Sequence, residues 1–368
     1  MRQLLCVVAV LGLSGSLQSA EPAKDVGQNA ALRYWQAFHA LGKLEPNPSD
    51  YLDTEIWKPL DGPARKLLDD HSTSLLFLRR GAAMPVCDWG LHLEDGPGLL
   101  LPQLQKSRDL GRLGCLSMRR HFEEGRPAEA VEDLVAVLTL ARHLSSDHTM
   151  IAMLVQFAIE TVAHHAAAPY LMRLDAKDLQ ALSRRLDKLP PSATLRLSIE
   201  LENEHLVGWL IKRIKEKMSP ETIEKIMGGE GTYTTIFKAV GEDGAIKQLE
   251  TLQKHYDDLA KALILPRDQQ DAKVEEARKK MEANPFGKQL VPAVNKVRAA
   301  EDRVEVRRAL FRAAIAVAKE GPDGATKIKD PGGDGPFELQ MLDQGYELRS
   351  KLTDKEKPIS LRVGTMRK

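Results

Sequence analysis

Between Gly62 and Pro191 apolar side chains return every three or four residues, and each break in that rhythm is a helix-stopping device. Gly62-Pro63 opens one such stretch, with Leu67, Leu68, Leu75, Leu76 and Leu78 marking its apolar side as far as about Arg80. After the loop Gly81 to Gly98 the rhythm resumes over 99–124, 127–144, 148–174 and 175–190. These stretches are parted by Gly125-Arg126-Pro127, Ser145-Ser146-Asp147 and Asp175, and they stop at Pro190-Pro191. Such spacing specifies amphipathic helices, and connectors this short make neighbours antiparallel. Aromatics are only 5 % of the chain, so the core is built from Leu, Ala, Val and Ile, which suits helices better than strands. The expected fold class is all-α: an antiparallel array of helical hairpins, with a small β-hairpin at the C-terminal end.

The flanking sequence extends this reading. Leu32, Trp35, Phe38 and Leu41 share one face of a helix over 29–44, which Pro46 and Pro48 end, and a short helix follows around Tyr51 to Trp57. Past Pro191, helices are expected over 192–218, from Ser219-Pro220-Glu221 onward, over 241–264 and 266–283, and over 290–319. The 266–283 stretch is so charged that it is either exposed or paired with one neighbour. Gly321 to Gly335 is rich in Gly, Asp, Lys and Pro. Beyond it, 337–341 and 346–349 alternate in hydrophobicity about Asp343-Gln344-Gly345, a β-hairpin signal to which Ile359 to Val363 adds a third strand. The expected organisation is a signal peptide over 1–20, a helical array over 21–190, a second helical region over 191–320, and a linker with a small β element over 321–368.

The N-terminus carries the signal reading. Arg2 gives a positive start, Leu4 to Leu13 is apolar except for Gly12, and small residues lead to Ala20 before Glu21-Pro22. This is the layout of a secretory signal cut near Ala20, with a retained anchor as the alternative. The apolar run is too short to span a bilayer comfortably. The expected location is periplasmic or extracellular, with no transmembrane segment in the mature chain. Cys6 leaves with the signal, and Cys87 and Cys115 are then either one disulfide or two independently buried thiols. The net charge is +1, and removal of Arg2 leaves basic and acidic residues equal in number. No global field draws such a chain to nucleic acid.

Two resemblances add expectations. The segment from Arg119 through Gly125 to Ala130 resembles a tetratricopeptide hairpin, with Gly125 at the turn and Ala130 where the second helix packs closely. It covers about one repeat and implies a helical-hairpin scaffold. More broadly, residues 60–190 resemble a group of uncharacterised exported bacterial helical proteins, through Cys87-Asp88-Trp89-Gly90, Leu101-Pro102-Gln103-Leu104, the Gly125 turn, Leu140-Ala141-Arg142-His143-Leu144 and Leu189-Pro190-Pro191. In that group the C-terminal segment is similar to the globular end of pseudopilins, and Gly335-Pro336-Phe337 and Gly345-Tyr346-Glu347-Leu348 carry the likeness here. The pilin methylation site and long apolar helix are missing from the sequence, so filament assembly is not implied.

Candidate chemistry is sparse. Asp88 and Glu94 in the 81–98 loop form a carboxylate pair of the type glycosidases use, with Trp89 placed to stack on a sugar. The plainer reading makes Trp89 a plug for helix ends and Asp88 a turn cap. His143, His148, His164 and His165 are the other titratable group, but their spacing repeats no zinc-ligand pattern. Glu202-x-x-His205 has the spacing of di-iron bundles, which require a second copy that the chain lacks. No nucleophile elbow, phosphate loop or dinucleotide fingerprint occurs. The sequence therefore favours a non-enzymatic envelope scaffold that binds a protein or peptide, without metal or cofactor. The alternative is a hydrolase-like enzyme using Asp88, Trp89 and Glu94, or the four histidines. A third expectation gives the C-terminal hairpin a role in envelope assembly.

Overall fold

The computed structural model describes residues 28–53, 58–290 and 294–364. The expected signal over 1–20, its cleavage point and part of the short helix near Trp57 lie outside the described residues. The described chain is mostly helical and ends in a three-stranded antiparallel sheet.

The first helices are placed by caps and by close approaches. Asn29 caps α1 (Ala30–Ala40) by accepting from the Ala31 amide. Asp61 caps α2 (Gly62–Asp70) through the Ala64 amide. His71 then breaks that run before α3 (Ser72–Ala82). α1 and α3 lie antiparallel: Ser74 Oγ donates to Ala37 O at 3.1 Å, and Gly81 meets Tyr34 so closely that a Cβ there would sit 2.6 Å from the ring. α4 (Gln103–Glu123) and α5 (Pro127–Leu144) form the expected hairpin about Gly125, whose φ of 70° is the left-handed turn that glycine tolerates. α6 (Met150–Ala167) starts two residues later than the sequence placed it, because Thr149 is its cap and Asp147 accepts from the Thr149 amide. Pro169 converts its end into a 3-10 turn, Ala168–Arg173. The stretch Met150–Arg173 is long and apolar enough to cross a membrane, yet most of it is buried inside the protein. α7 (Ala176–Asp187) completes the array.

The second half departs further from simple periodicity. α8 (Leu195–Glu202) runs through a π-helical turn, Asn203–Val207, into α9 (Gly208–Lys215). α10 (Pro220–Met227) begins at the Ser219 cap and ends at Gly228. α11 (Thr232–Ala262) is longer than expected and kinks at Gly241, where φ is 70°. α12 (Arg267–Ala283), α13 (Gly287–Leu290) and α14 (Val294–Glu320) follow.

The sheet contains β1 (Glu338–Leu342), β2 (Gly345–Asp354) and β3 (Lys357–Gly364) in that order. The expected hairpin and third strand are both present. Lys355 and Glu356 form the second turn, both with positive φ, as a tight antiparallel connection demands. Asp330 pins the preceding linker to the sheet: it is 1 % exposed and accepts from Ser350 Oγ, the Lys351 amide and the Gly332 amide, each at 2.8 Å.

Two apolar clusters fill the described residues, and they do not follow chain order. The first joins α1–α7 to the sheet and to α14 from Val306 onward. The second holds residues from Ala193 to Val304, with Met153 and Phe157 of α6 packed into it. α14 therefore serves both cores along its length, and α6 serves both with different faces. Tyr346 ties the sheet to α14 by donating to Ala314 O at 2.6 Å.

Candidate functional site

The 81–98 loop is built as a plug. Asn29 clamps Asp88 from both sides: its Nδ2 donates to Asp88 O at 2.8 Å, and its Oδ1 accepts from the Asp88 amide at 2.9 Å. Asp88 Oδ1 accepts from the Gly90 amide at 2.9 Å, a local turn of the sort Asp favours. Trp89 is 8 % exposed and donates to His143 O at 2.8 Å. Tyr34 and Phe38 stack on it at centroid distances of 5.8 and 6.2 Å, so its faces are covered. Glu94 is exposed and faces His92 at 3.2 Å. Asp88 and Glu94 thus engage different partners, and Trp89 offers no open platform for a sugar.

The histidines separate into two places. His143 Nδ1 lies 2.9 Å from Tyr34 Oη, and burial lowers its pKa to about 4. His148 sits at φ 59° in the turn before α6, beside Asp147, whose carboxyl is pushed up by burial. His164 is buried against Phe311 at 4.7 Å and lowered to about 3 by burial, against the opposing charge of Glu160. His165 is lowered to about 4 by burial and by Arg307. His143 joins Trp89, whereas His164 and His165 belong to the seam of α6 with α14. Among the described residues no three His, Cys, Asp or Glu side chains are grouped to hold a metal. The Glu202-x-x-His205 pair is split by the π turn: burial lifts the Glu202 carboxyl to about 7, while His205 lies 3.9 Å from Glu204.

Cys87 and Cys115 are both free, so of the two readings open in the sequence the structure holds separate thiols rather than a disulfide. Cys115 feels the charge of Asp133, early in α5, whereas Cys87 feels that of Asp147, just past its end. The helical part of that separation alone, Asp133 to Leu144, spans about 16 Å, and a disulfide requires Cα atoms within about 7 Å. Burial pushes Cys115 up to about 12 and raises Cys87 as well. Both thiols are therefore poor nucleophiles.

The sequence reading missed the buried ions. Glu160, 1 % exposed on α6, accepts from Arg308 Nε at 2.6 Å and from Gln156 Nε2 at 2.8 Å, and Arg142 Nε stands 2.6 Å away. Ser192 Oγ bridges Gln156 and Arg308 at 2.7 and 2.9 Å. Burial raises the Glu160 pKa, but Arg308 and Arg142 outweigh it and the net shift is downward. Asp133, fully enclosed in α5, accepts from Arg79 Nε at 2.6 Å, and His121 Nδ1 lies 3.0 Å from its other oxygen. Its pKa is also lowered, because His121 and Arg79 overcome burial. The available signal was an acid on a helix apolar all round, as α6 is, since such a helix is buried and its charge needs a partner.

An open cavity lies elsewhere, between α11 and α12. It measures about 300 Å³, with Ala262, Leu265 and Ala277 as apolar lining. Lys261, Lys273, Lys280, Asp258 and Glu276 supply its charges. Glu276 holds Lys273 at 2.9 Å and Lys280 at 2.8 Å, and these lysines pull its pKa down to about 2. Lys261 has no carboxylate partner among the described residues. Of the two sequence readings of α12, exposed or paired with one neighbour, the structure pairs it with α11. Compared with known proteins, the chain matches no family, no curated protein and no solved structure.

Proposed function

We propose that this chain is an exported helical binding protein of the bacterial cell envelope, cut near Ala20, that holds a protein or peptide segment in the groove between α11 and α12. The groove itself carries this reading. Its volume suits a few side chains of a partner. Its lining combines an apolar strip with lysines, of which Lys261 is left for an incoming carboxylate. An apolar side chain flanked by an acid is the segment it would hold best.

The hydrolase alternative draws no support from the geometry. Asp88 and Trp89 are occupied by packing, and the histidines stand in two separate places. The C-terminal hairpin as an assembly element also gains little, since Tyr346, Leu348 and Leu361 are spent inside the first core.

The test is affinity capture from the protein's own envelope extract, alongside the variant Lys261→Glu/Lys273→Glu/Lys280→Glu. One stoichiometric partner, lost on charge reversal while the far-UV spectrum stays unchanged, is the expected result. Equal recovery by both forms would refute the groove as the binding place. Metal analysis of the same sample addresses the enzyme reading separately.

A further inference from the structure

α1 has an outer side that no other described element covers. Leu32 and Trp35 lie one turn apart on it and are 46 % and 38 % exposed. Val86, 50 % exposed, is held beside the start of the same helix, because the Ala30 amide donates to Val86 O at 2.8 Å. Trp35 is braced from behind, edge-on to Phe38 at 5.4 Å and to Trp89 at 6.1 Å. Its exposed edge is therefore fixed rather than free to fold inward.

The position of this face indicates what meets it. Residues 1–27 lead directly into α1, and they carry the apolar run Leu4 to Leu13 behind Arg2. Fourteen residues separate Leu13 from Gln28, and a fully extended chain of that length reaches about 50 Å at most. Until the cut proposed near Ala20, that tether keeps α1 within about 50 Å of the bilayer that takes the apolar run. Tryptophan favours the headgroup region, where its ring is both apolar and hydrogen-bonding. The long apolar helix α6 does not compete for this contact, since most of it lies inside the core.

We propose that the Leu32, Trp35 and Val86 face of α1 docks on a lipid surface, so that the protein stays against the membrane by a contact separate from its N-terminal segment. This goes beyond the groove reading and does not depend on it.

The test uses processed protein recovered from its own envelope and vesicles of phosphatidylethanolamine with phosphatidylglycerol. Flotation with the vesicles is expected, and Leu32→Ser/Trp35→Ser should weaken partitioning on the order of tenfold. Brominated lipid should quench part of the tryptophan fluorescence. Trp35→Phe, which keeps the ring packing and removes the reporter, should abolish that part while flotation persists. Failure to float, or quenching unchanged by Trp35→Phe, would overturn the proposal. So would a dimer in sedimentation that the double substitution dissociates, because the face would then belong to a second copy.

Discussion

In the core that α14 shares with α5 and α6, Asp133 and Glu160 are almost wholly enclosed, and each faces a positively charged or hydrogen-bonding group on a neighbouring helix. In the core built by α8 to α13, the Glu202 carboxyl faces Tyr256 and has no ion pair or hydrogen bond to another described residue. The same chemical group is pushed in opposite directions: below its ordinary range in the first core, and up to about 7 in the second. Cations hold the charged form where they are present, and desolvation disfavours it where they are not. Burial alone therefore says little about a carboxylate; its neighbours decide whether acid or alkali weakens the fold around it.

The largest effect that would break this contrast is at Glu160. Glu160→Gln leaves Arg142 and Arg308 enclosed without a counter-charge and should cost about 4 kcal/mol in urea unfolding at pH 7. A cost near zero would mean the pair is solvated, and the contrast would fail. Asp133→Asn should cost about 3 kcal/mol, somewhat less because Arg79 is partly exposed and water can reach it. Glu202→Gln should act with the opposite sign. The folded state keeps the Glu202 proton up to about pH 7, whereas the unfolded chain loses it near 4.5. Stability from this group is complete below pH 4.5 and is lost as pH rises through 7. The substitution should thus add about 2 kcal/mol at pH 8 and nothing at pH 4. A stabilisation equal at both pH values would show that packing, not ionisation, was changed. The smallest effect belongs to Trp89→Phe, at about 1 kcal/mol. The His143 carbonyl that loses the indole still accepts from Ser146 Oγ at 2.9 Å, so it is not left bare. A much greater loss would show that the redundancy seen around the first core's polar groups is not effective.

Much of the fold was legible because its boundaries are written in local chemistry. Pro127 and Gly125 start or stop a helix by backbone geometry, and Ser219 starts one by accepting the Thr222 amide on its side chain. The strands were legible through alternation about a tight turn. What was hidden depends on partners distant in sequence. The spacing in 195–215 reads as uninterrupted helix, whereas the widened turn at Asn203–Val207 lies against α11, where Asn203 Nδ2 donates to Gln253 O at 3.2 Å. Likewise, the apolar positions of α14 report that it is buried but not that its two ends serve different cores. At the candidate site, sequence grouped Asp88, Trp89 and Glu94 by proximity in a loop. The fold instead gave Trp89 to His143, and it formed a groove from Lys261, Lys273 and Lys280 on two helices.

The two ends of the second core meet in space. The amide of Leu195, at the start of the second core, donates to Glu301, near its end, at 3.0 Å. A region of more than a hundred residues thus leaves and rejoins the rest of the molecule at one point. Segments whose two ends meet are those that circular permutation, excision and domain exchange tolerate. The stretch from Thr194 to Glu301 is in that sense a cassette whose ends meet, and it covers Met153 and Phe157 on α6, Val304 on α14 and, through Trp209, Gly96 of the 81–98 loop.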